Sequence, residues 1–269
     1  TITQGETEMV LCFDVGNTDI DAGAFENDKL YKAFNIDYKK GQSVEEYKKG
    51  IKNALEVNGI DPKTVTNCVL CSVVAGSTGA MEEAIKELLG FEPLIFTNDE
   101  IANMQVKIGN PQEVGVDIVA ACLAVKHRYS LPAIVIDMGT ATTVTAMDKD
   151  GDLLGVSILT GVITSLKALR DSTGLPIDES LTPPAKAIGT TTPESMASGC
   201  VLANAYMMDG MISAFEKEMG TECHIYATGG ISKMIMPLCR HKSLINDKLL
   251  LEGLYIYCKK AENKNNKEI

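Results

Sequence analysis

Apolar positions recur along this chain in two matching blocks. The first runs Met9-Val-Leu-Cys-Phe-Asp14-Val-Gly16-Asn-Thr18, passes through Ile20 and Ala22 to Phe25, and turns at Glu26-Asn-Asp-Lys29. The second runs Ala133-Ile-Val-Ile-Asp137-Met-Gly139-Thr140-Ala-Thr-Thr143, passes through Val144 and Ala146, and turns at Asp148-Lys-Asp-Gly151. Each is an apolar strand ending in Asp-x-Gly, a small polar turn, a second apolar stretch and a polar turn, after which Leu30 or Leu153 opens a third strand. This order predicts a β-meander once in each half.

Outside the meanders the period turns helical. Val44 to Val57 spaces Tyr47, Ile51, Ala54 and Leu55 as one amphipathic face, and helices are also predicted over Ala80 to Leu89 and the Ala- and Val-rich Val114 to Lys126. In the second half, Ser195 to Phe215 and Asp247 to Ala261 read as helices, with a frayed polar tail from Glu262 to Ile269. Further strands are predicted at Val65 to Val74, Pro93 to Phe96 and Tyr226 to Ile231, the last running into a glycine turn. Two similar halves of alternating strands and helices imply an α/β fold of two related domains, 1–127 and 128–269, with a cleft between them. The polar segment His127-Arg-Tyr-Ser-Leu-Pro132 supplies the boundary.

Composition narrows the function. The 269 residues carry a net charge of -11, which argues against a protein that grips nucleic acid, since phosphates call for a basic face. The opening segment lacks the basic-then-apolar order of a signal peptide, and no apolar run approaches the roughly 18 residues of a membrane span. A cytoplasmic protein with reduced cysteines is expected. Cys68-Val-Leu-Cys71 is formally a CxxC, but on a strand that separation sends the two thiols to opposite faces, so a shared metal is not expected.

Asp14-Val-Gly-Asn-Thr18 places a carboxylate at a strand end beside a glycine turn whose N–H groups can form an anion nest. A carboxylate next to phosphate makes sense when a cation lies between them, as magnesium does in phosphoryl transfer. Asp137-Met-Gly-Thr-Ala-Thr-Thr143 repeats the pattern, and Ala227-Thr-Gly-Gly-Ile-Ser232 adds a late glycine turn. Asp, Gly, Asn and Thr are also ordinary turn residues; it is the recurrence at equivalent places that points to a ligand. Neither a P-loop nor a Gly-x-Gly-x-x-Gly fingerprint is present.

These three turns resemble the two phosphate loops and the adenosine loop of the actin/Hsp70/sugar-kinase superfamily, which binds ATP between two duplicated ribonuclease-H-like domains. Within it, the chain resembles the type III pantothenate kinases, which phosphorylate the hydroxyl of pantothenate on the route to coenzyme A. Ser72-Val-Val74, Asn110-Pro111, Glu113-Val-Gly-Val-Asp117, Leu175-Pro176, Ile188-Gly-x-x-Thr192, Ser195-Met-Ala-Ser-Gly199, Thr228-Gly-Gly230 and Leu249-x-Leu-x-Gly-Leu254 follow the family's order and approximate spacing. The resemblance implies that ATP meets Asp14, Gly16, Asn17, Thr18, Gly139, Thr140, Gly229 and Gly230, with Mg2+ and K+ at Asp14 and Asp137. It implies Asp117 as the base for the acceptor hydroxyl, and an acceptor at Ile108, Gly115, Val116, Ile118 and Thr192. Read without it, Asp117 is a helix-start residue favoured by the helix dipole.

The departures fall on the acceptor side. The family follows its Gly-x-Asp with Arg, and with Asn three residues later; this chain has Ile118 and Ala121. The family's Tyr before Asn-Pro is Ile108, and its Gly-Gly-x-Ile-x-Pro-Gly reads Gly155-Val-Ser-Ile-Leu-Thr-Gly161. Arg is the natural partner of pantothenate's carboxylate, and Ile cannot replace it. Three readings stay open: a working pantothenate kinase, a kinase of this fold with another small-molecule hydroxyl acceptor, and a retired nucleotide-binding or regulatory protein. A homodimer through the second half is also expected. Met196, Val201, Leu202, Ala205, Met208, Met211 and Ile212 cover more than one face of the helix 195–215, although burial on both sides within one monomer would leave the same pattern.

Overall fold

The computed structural model describes residues 8–37, 39–74, 76–97, 107–174 and 181–265; Leu175 and Pro176 of the family pattern lie outside them. The first sheet is built from β1 (Met9–Val15), β2 (Ile20–Glu26), β3 (Lys29–Ile36), β4 (Val65–Ser72) and β5 (Leu94–Ile95), in the order β3-β2-β1-β4-β5. The second is built from β6 (Ala133–Met138), β7 (Ala141–Met147), β8 (Leu153–Thr160), β9 (His224–Thr228) and β10 (Leu244–Ile245), in the order β8-β7-β6-β9-β10. Each sheet is an antiparallel meander with two parallel strands added beside its first strand. The duplication therefore extends beyond the meanders to whole sheets.

Eight helices are described: α1 (Val44–Val57), α2 (Thr78–Leu89), α3 (Val116–Arg128), α4 (Val162–Thr173), α5 (Thr192–Ala197), α6 (Ala203–Met219), α7 (Ser232–Ile235) and α8 (Leu249–Asn265). α1 begins where the periodicity places it because Ser43 and Glu46 form a capping box that satisfies the first-turn N–H groups. Tyr47, Ile51 and Leu55 of α1 and Met81, Ala84 and Ile85 of α2 pack on Leu11, Phe13, Val15, Cys68 and Leu70, one face of the first sheet. Strand alternation gives Val10, Cys12 and Asp14 to the other face.

That second face is covered from the far end of the chain. Tyr255 of α8 stacks on Phe25, the register partner of Val10, with ring centroids 4.6 Å apart. α8 also crosses α3 with almost no separation, since a Cβ on Gly253 would fall 1.8 Å from the Ala120 carbonyl oxygen. A single cut after residue 127 consequently does not describe the fold. The described residues of Thr1–Asn103, Asn110–His127 and Lys248–Ile269 form one compact unit, and those of Met104–Gly109 and Arg128–Asp247 form the other. The apolar period of α8 reveals a buried helix but not which sheet it covers. α8 also runs four residues past its expected end at Ala261, and Glu262 there pairs with Lys259 at 2.8 Å.

In the second unit, Ile134, Ile136, Met138 and Val144 pack against Val162 and Leu166 of α4 and against Val201, Ala205, Met208 and Ile212. The sequence pattern misses α4, whose buried apolar residues are only Val162 and Leu166. The helix expected over 195–215 is α5, a π-helical turn at Ser198–Leu202, and α6; the Asn204 amide donates to the Cys200 carbonyl at 2.7 Å within the wide turn. Val201, Ala205, Met208 and Ile212, counted above towards a dimer contact, are fully buried inside the unit, whereas Tyr206 and Met207 face outward. Asp209 of α6 is buried. Burial alone would raise its carboxyl, but N–H groups of Arg240 and His241 and the His241 ring hold it down at about 2.

Candidate active site

Asp14 is the penultimate residue of β1, and the turn that follows is closed by the Gly16 N–H donating to the Asp19 carbonyl at 3.0 Å. Asn17 and Thr18 are exposed at its tip. In the parallel ladder Asp14 pairs with Cys71 of β4, and paired residues point to the same face. Cys71 is buried beside Asp14, within electrostatic reach of both Asp14 and Asp117. Burial first, then these two carboxylates, push that thiol well up. Asp14 and Asp117 thus both lie near Cys71 in the first unit.

The start of α3 sets the position of Asp117. Asn110 opens a tight turn by accepting from the Gln112 N–H at 3.3 Å, and α3 follows with Asp117 in its first turn. Asp117 Oδ1 accepts from the Ile118 N–H at 2.9 Å and folds back over Gly115, where a Cβ would lie 2.3 Å from it. Gly115 is therefore needed for the carboxylate's position. Burial raises the Asp117 carboxyl, against the opposing pull of its backbone hydrogen bonds. A helix-dipole role alone would lower it. Val116 and Ile118 are half-buried beside it, and Ala121 is buried within α3's packed face.

The second unit repeats the first loop with tighter constraints. Asp137 pairs with Thr228 of β9, as Asp14 does with Cys71. The Gly139 N–H donates to the Ala141 carbonyl at 3.0 Å, and the Thr140 carbonyl accepts from the Gly161 N–H at 3.1 Å and the Thr164 hydroxyl at 2.8 Å. A Cβ on Gly161 would come within 2.2 Å of the Gly139 carbonyl oxygen. Gly229 has φ +84°, and a Cβ there would meet Asp137 Oδ1 and Met138 at 2.6 Å. The buried Ser232 hydroxyl holds this turn by donating to the Gly229 carbonyl at 2.7 Å. Gly230 is exposed, with open space around its α carbon.

The remaining acceptor residues, Ile108 and Thr192, belong to the second unit. Ile108 follows Lys107, whose ammonium is held by Asp148 at 2.6 Å and Asp152 at 3.6 Å. Thr192 begins α5, which is moored to the loop before it. Glu194 accepts from the Thr190 N–H and hydroxyl, and Gly189 lies against the Ser195 backbone, where a Cβ would be 2.4 Å from the nitrogen. A cavity of about 390 Å³ opens beside it, lined by Lys186, Ile188, Thr190 and Glu194 among others.

Several positioning groups escape a reading of the sequence. Cys71 reads there only as half of a CxxC, and Thr164 lies on the unrecognised α4. Gly161 belongs to a family pattern but gains its reason only from the approach of the Gly139 and Thr140 carbonyls.

The family model described as type III pantothenate kinase matches residues 10–214. A type III pantothenate kinase from Roseiflexus castenholzii is 31% identical over 246 residues, covering 91% of this chain and 96% of that protein. Among solved structures, a conserved Baf family protein from Campylobacter jejuni superposes with a TM-score of 0.61 at 16% identity, covering 94% of this chain and 99% of that one. The activator of the 2-hydroxyisocaproyl-CoA dehydratase from Clostridium difficile, solved with bound ADPNP, gives a TM-score of 0.55 at 10% identity, covering 97% and 98%. At these identities the structural likenesses speak for the fold, which is the actin-like one of two related domains.

Proposed function

The chain belongs to the type III pantothenate kinase family and is a phosphotransferase, and we propose that it moves the terminal phosphoryl group of ATP to the hydroxyl of pantothenate in coenzyme A biosynthesis. The observation that carries this reading is the Asp-x-Gly loop at the end of the first sheet, with Asp14 and Asp117 both near Cys71, and a second loop of the same construction in the other unit. The Gly16 and Gly139 turns offer backbone N–H groups to phosphate, and the Gly229 and Gly230 turn receives the adenosine. Asp117 takes the proton from the acceptor hydroxyl. A carboxyl raised by burial is a stronger base once ionised, which suits that role.

Magnesium fits the donors present. Among the described residues no three His, Cys, Asp or Glu side chains converge on one point, so a divalent ion at Asp14 would draw its other ligands from phosphate and water, the usual arrangement for Mg2+. When bound it neutralises developing phosphate charge. Asp137 would hold K+ through the same hard oxygen chemistry. A coupled assay of ATP turnover against a panel of hydroxyl compounds tests the reading; turnover with no acceptor, pantothenate included, would refute it.

A second acceptor is favoured by one set of observations. Ile108 and Ile118 offer no charge, the Lys107 ammonium is held by two aspartates, and Arg170 pairs with Asp171. If pantothenate is the acceptor it should bind weakly, and Ile118→Arg should lower its KM. A hydrogen bond to a charged group contributes about 1.5–3 kcal/mol, so the expected gain is roughly 10-fold or more. An unchanged or higher KM in Ile118→Arg, with a parent already saturated at low pantothenate, would show that other groups hold the carboxylate.

The protein is also proposed to form a homodimer through its second unit. Tyr206 and Met207 on α6, and Ile188 at 82% exposure, leave apolar surface uncovered there. Light scattering at micromolar concentration should give twice the 28.9 kDa chain mass; a monomer would exclude the dimer.

A further inference from the structure

A second constellation of reactive groups lies away from the Asp-x-Gly loops, on α6 of the second unit. Asp209 is 1% exposed, and its carboxylate is fixed by the backbone N–H groups of Arg240 and His241, which donate to it at 2.9 and 3.1 Å. Asp209 Oδ1 also meets His241 Nδ1 at 2.7 Å. An ionised carboxylate can only accept, so Nδ1 carries a proton and the neutral ring keeps its lone pair on Nε2. That nitrogen faces the Ser213 hydroxyl at 3.5 Å, one helical turn beyond Asp209. Nucleophile, base and buried orienting carboxylate stand in the order of a Ser-His-Asp triad, which is recognised by geometry and not by position in a sequence. The outer contact is long, and contacts of this kind tighten when a substrate arrives.

The surroundings suit proton transfer. Glu216 Oε2 lies 3.8 Å from His241 Nε2, while Glu216 Oε1 accepts from the Cys223 N–H at 3.0 Å. A positive charge formed on the ring therefore meets a carboxylate on either side. Ser213 is exposed, about 10 Å along α6 from Tyr206, and the His241 ring is half-buried. A solvent-borne molecule can reach the hydroxyl, while the contact between Asp209 and His241 stays inside.

We propose that Ser213, His241 and Asp209 form a second reactive centre, independent of the kinase reading, at which the Ser213 hydroxyl takes an acyl group from a small activated ester. Ser213 Oγ attacks the carbonyl carbon and its proton passes to His241 Nε2. The bond from that carbon to the leaving alcohol's oxygen breaks, and the alcohol takes the proton from His241. Water then repeats the sequence on the acyl-serine and releases the acid. Ser213 and His241 touch the reacting atoms; Asp209 acts through His241 and is a positioning residue.

A fluorophosphonate tests this in the full chain, because it forms an Oγ–P bond on an activated serine as fluoride leaves. Peptide mass mapping should find one adduct, on Ser213, and none in Ser213→Ala. His241→Asn keeps an amide to donate to Asp209 but has no base, and should slow labelling about 100-fold with its fold retained by circular dichroism. In the parent the labelling rate should rise with pH along one ionisation that His241→Asn abolishes. The charged groups around that ring are Asp209, Glu216 and Arg240. Asp209→Asn should slow labelling about 10-fold or more and displace that pH profile; if it fails to fold, the Ser213 and His241 variants decide. p-Nitrophenyl acetate should be hydrolysed by the parent and not by Ser213→Ala, while Mg-ATP binding is the same in both. An unlabelled Ser213, labelling indifferent to His241→Asn, or equal hydrolysis by Ser213→Ala overturns the proposal.

Discussion

Asp117→Asn is expected to lower kcat by about 10³-fold while Mg-ATP binding, measured by calorimetry, is retained. The amide keeps the shape of the carboxylate and can still accept the Ile118 N–H through its oxygen, so the start of α3 should be preserved. What it loses is the ability to take a proton from the acceptor. The same substitution should make the protein more stable near neutral pH. Burial raises the Asp117 carboxyl above its usual 3.8, so keeping it ionised in the folded state costs stability. That contribution favours folding below the usual value and is lost as pH rises through the raised one. The Tm of Asp117→Asn should therefore exceed the parent's at pH 7, and the gain should shrink as pH falls towards 4. Full turnover in the variant would remove Asp117 from the reaction. A Tm gain independent of pH would remove burial of the charge as the cause.

Asp14→Asn and Asp137→Asn are each expected to weaken Mg-ATP binding by about 100-fold; the Asp14→Asn effect should shrink when Mg2+ is chelated, and the Asp137→Asn effect when K+ is left out. The physical ground is the donor set: an amide oxygen carries no charge, so it holds the divalent ion at Asp14 or the potassium at Asp137 less well than a carboxylate does. The two substitutions need not cost equal stability. Asp14 lies beside the buried Cys71, and Asp137 Oδ1 lies against the glycine turn at Gly229, where an added NH2 group has little space. Asp137→Asn should accordingly lower Tm more than Asp14→Asn. If both variants bind Mg-ATP as the parent does, the Asp-x-Gly loops are turns and nothing more.

Much of this architecture is legible in the chain itself. The short apolar run that ends in Asp-x-Gly, met twice, marks the meanders, because a continuous apolar run bounded by a glycine turn reads as a strand buried on both faces. The spacing of Tyr47, Ile51 and Leu55 and the Ser43 cap determine α1 to the residue. The candidate chemistry was visible for the same reason: carboxylates and glycines at strand ends are local patterns.

What the sequence by itself determined, then, is the set of local elements and the residues able to carry charge to a ligand. The tertiary structure alone decided which of them meet. Cys71 and Asp14 are far apart in the chain and become neighbours only through the parallel β1–β4 register, which no local period encodes. α8 joins the first unit because the Val10, Cys12 and Phe25 face is left uncovered by α1 and α2, and because Gly253 lets it approach Ala120. The long helix passes from α5 to α6 through a π turn, across which the Asn204 amide donates to the Cys200 carbonyl. The charge of Asp209 is tolerated in the interior only because the backbone of Arg240 and His241 returns to meet it. Each of these depends on contacts between distant segments, whose free energy belongs to packing and polar satisfaction in three dimensions rather than to any short stretch of residues.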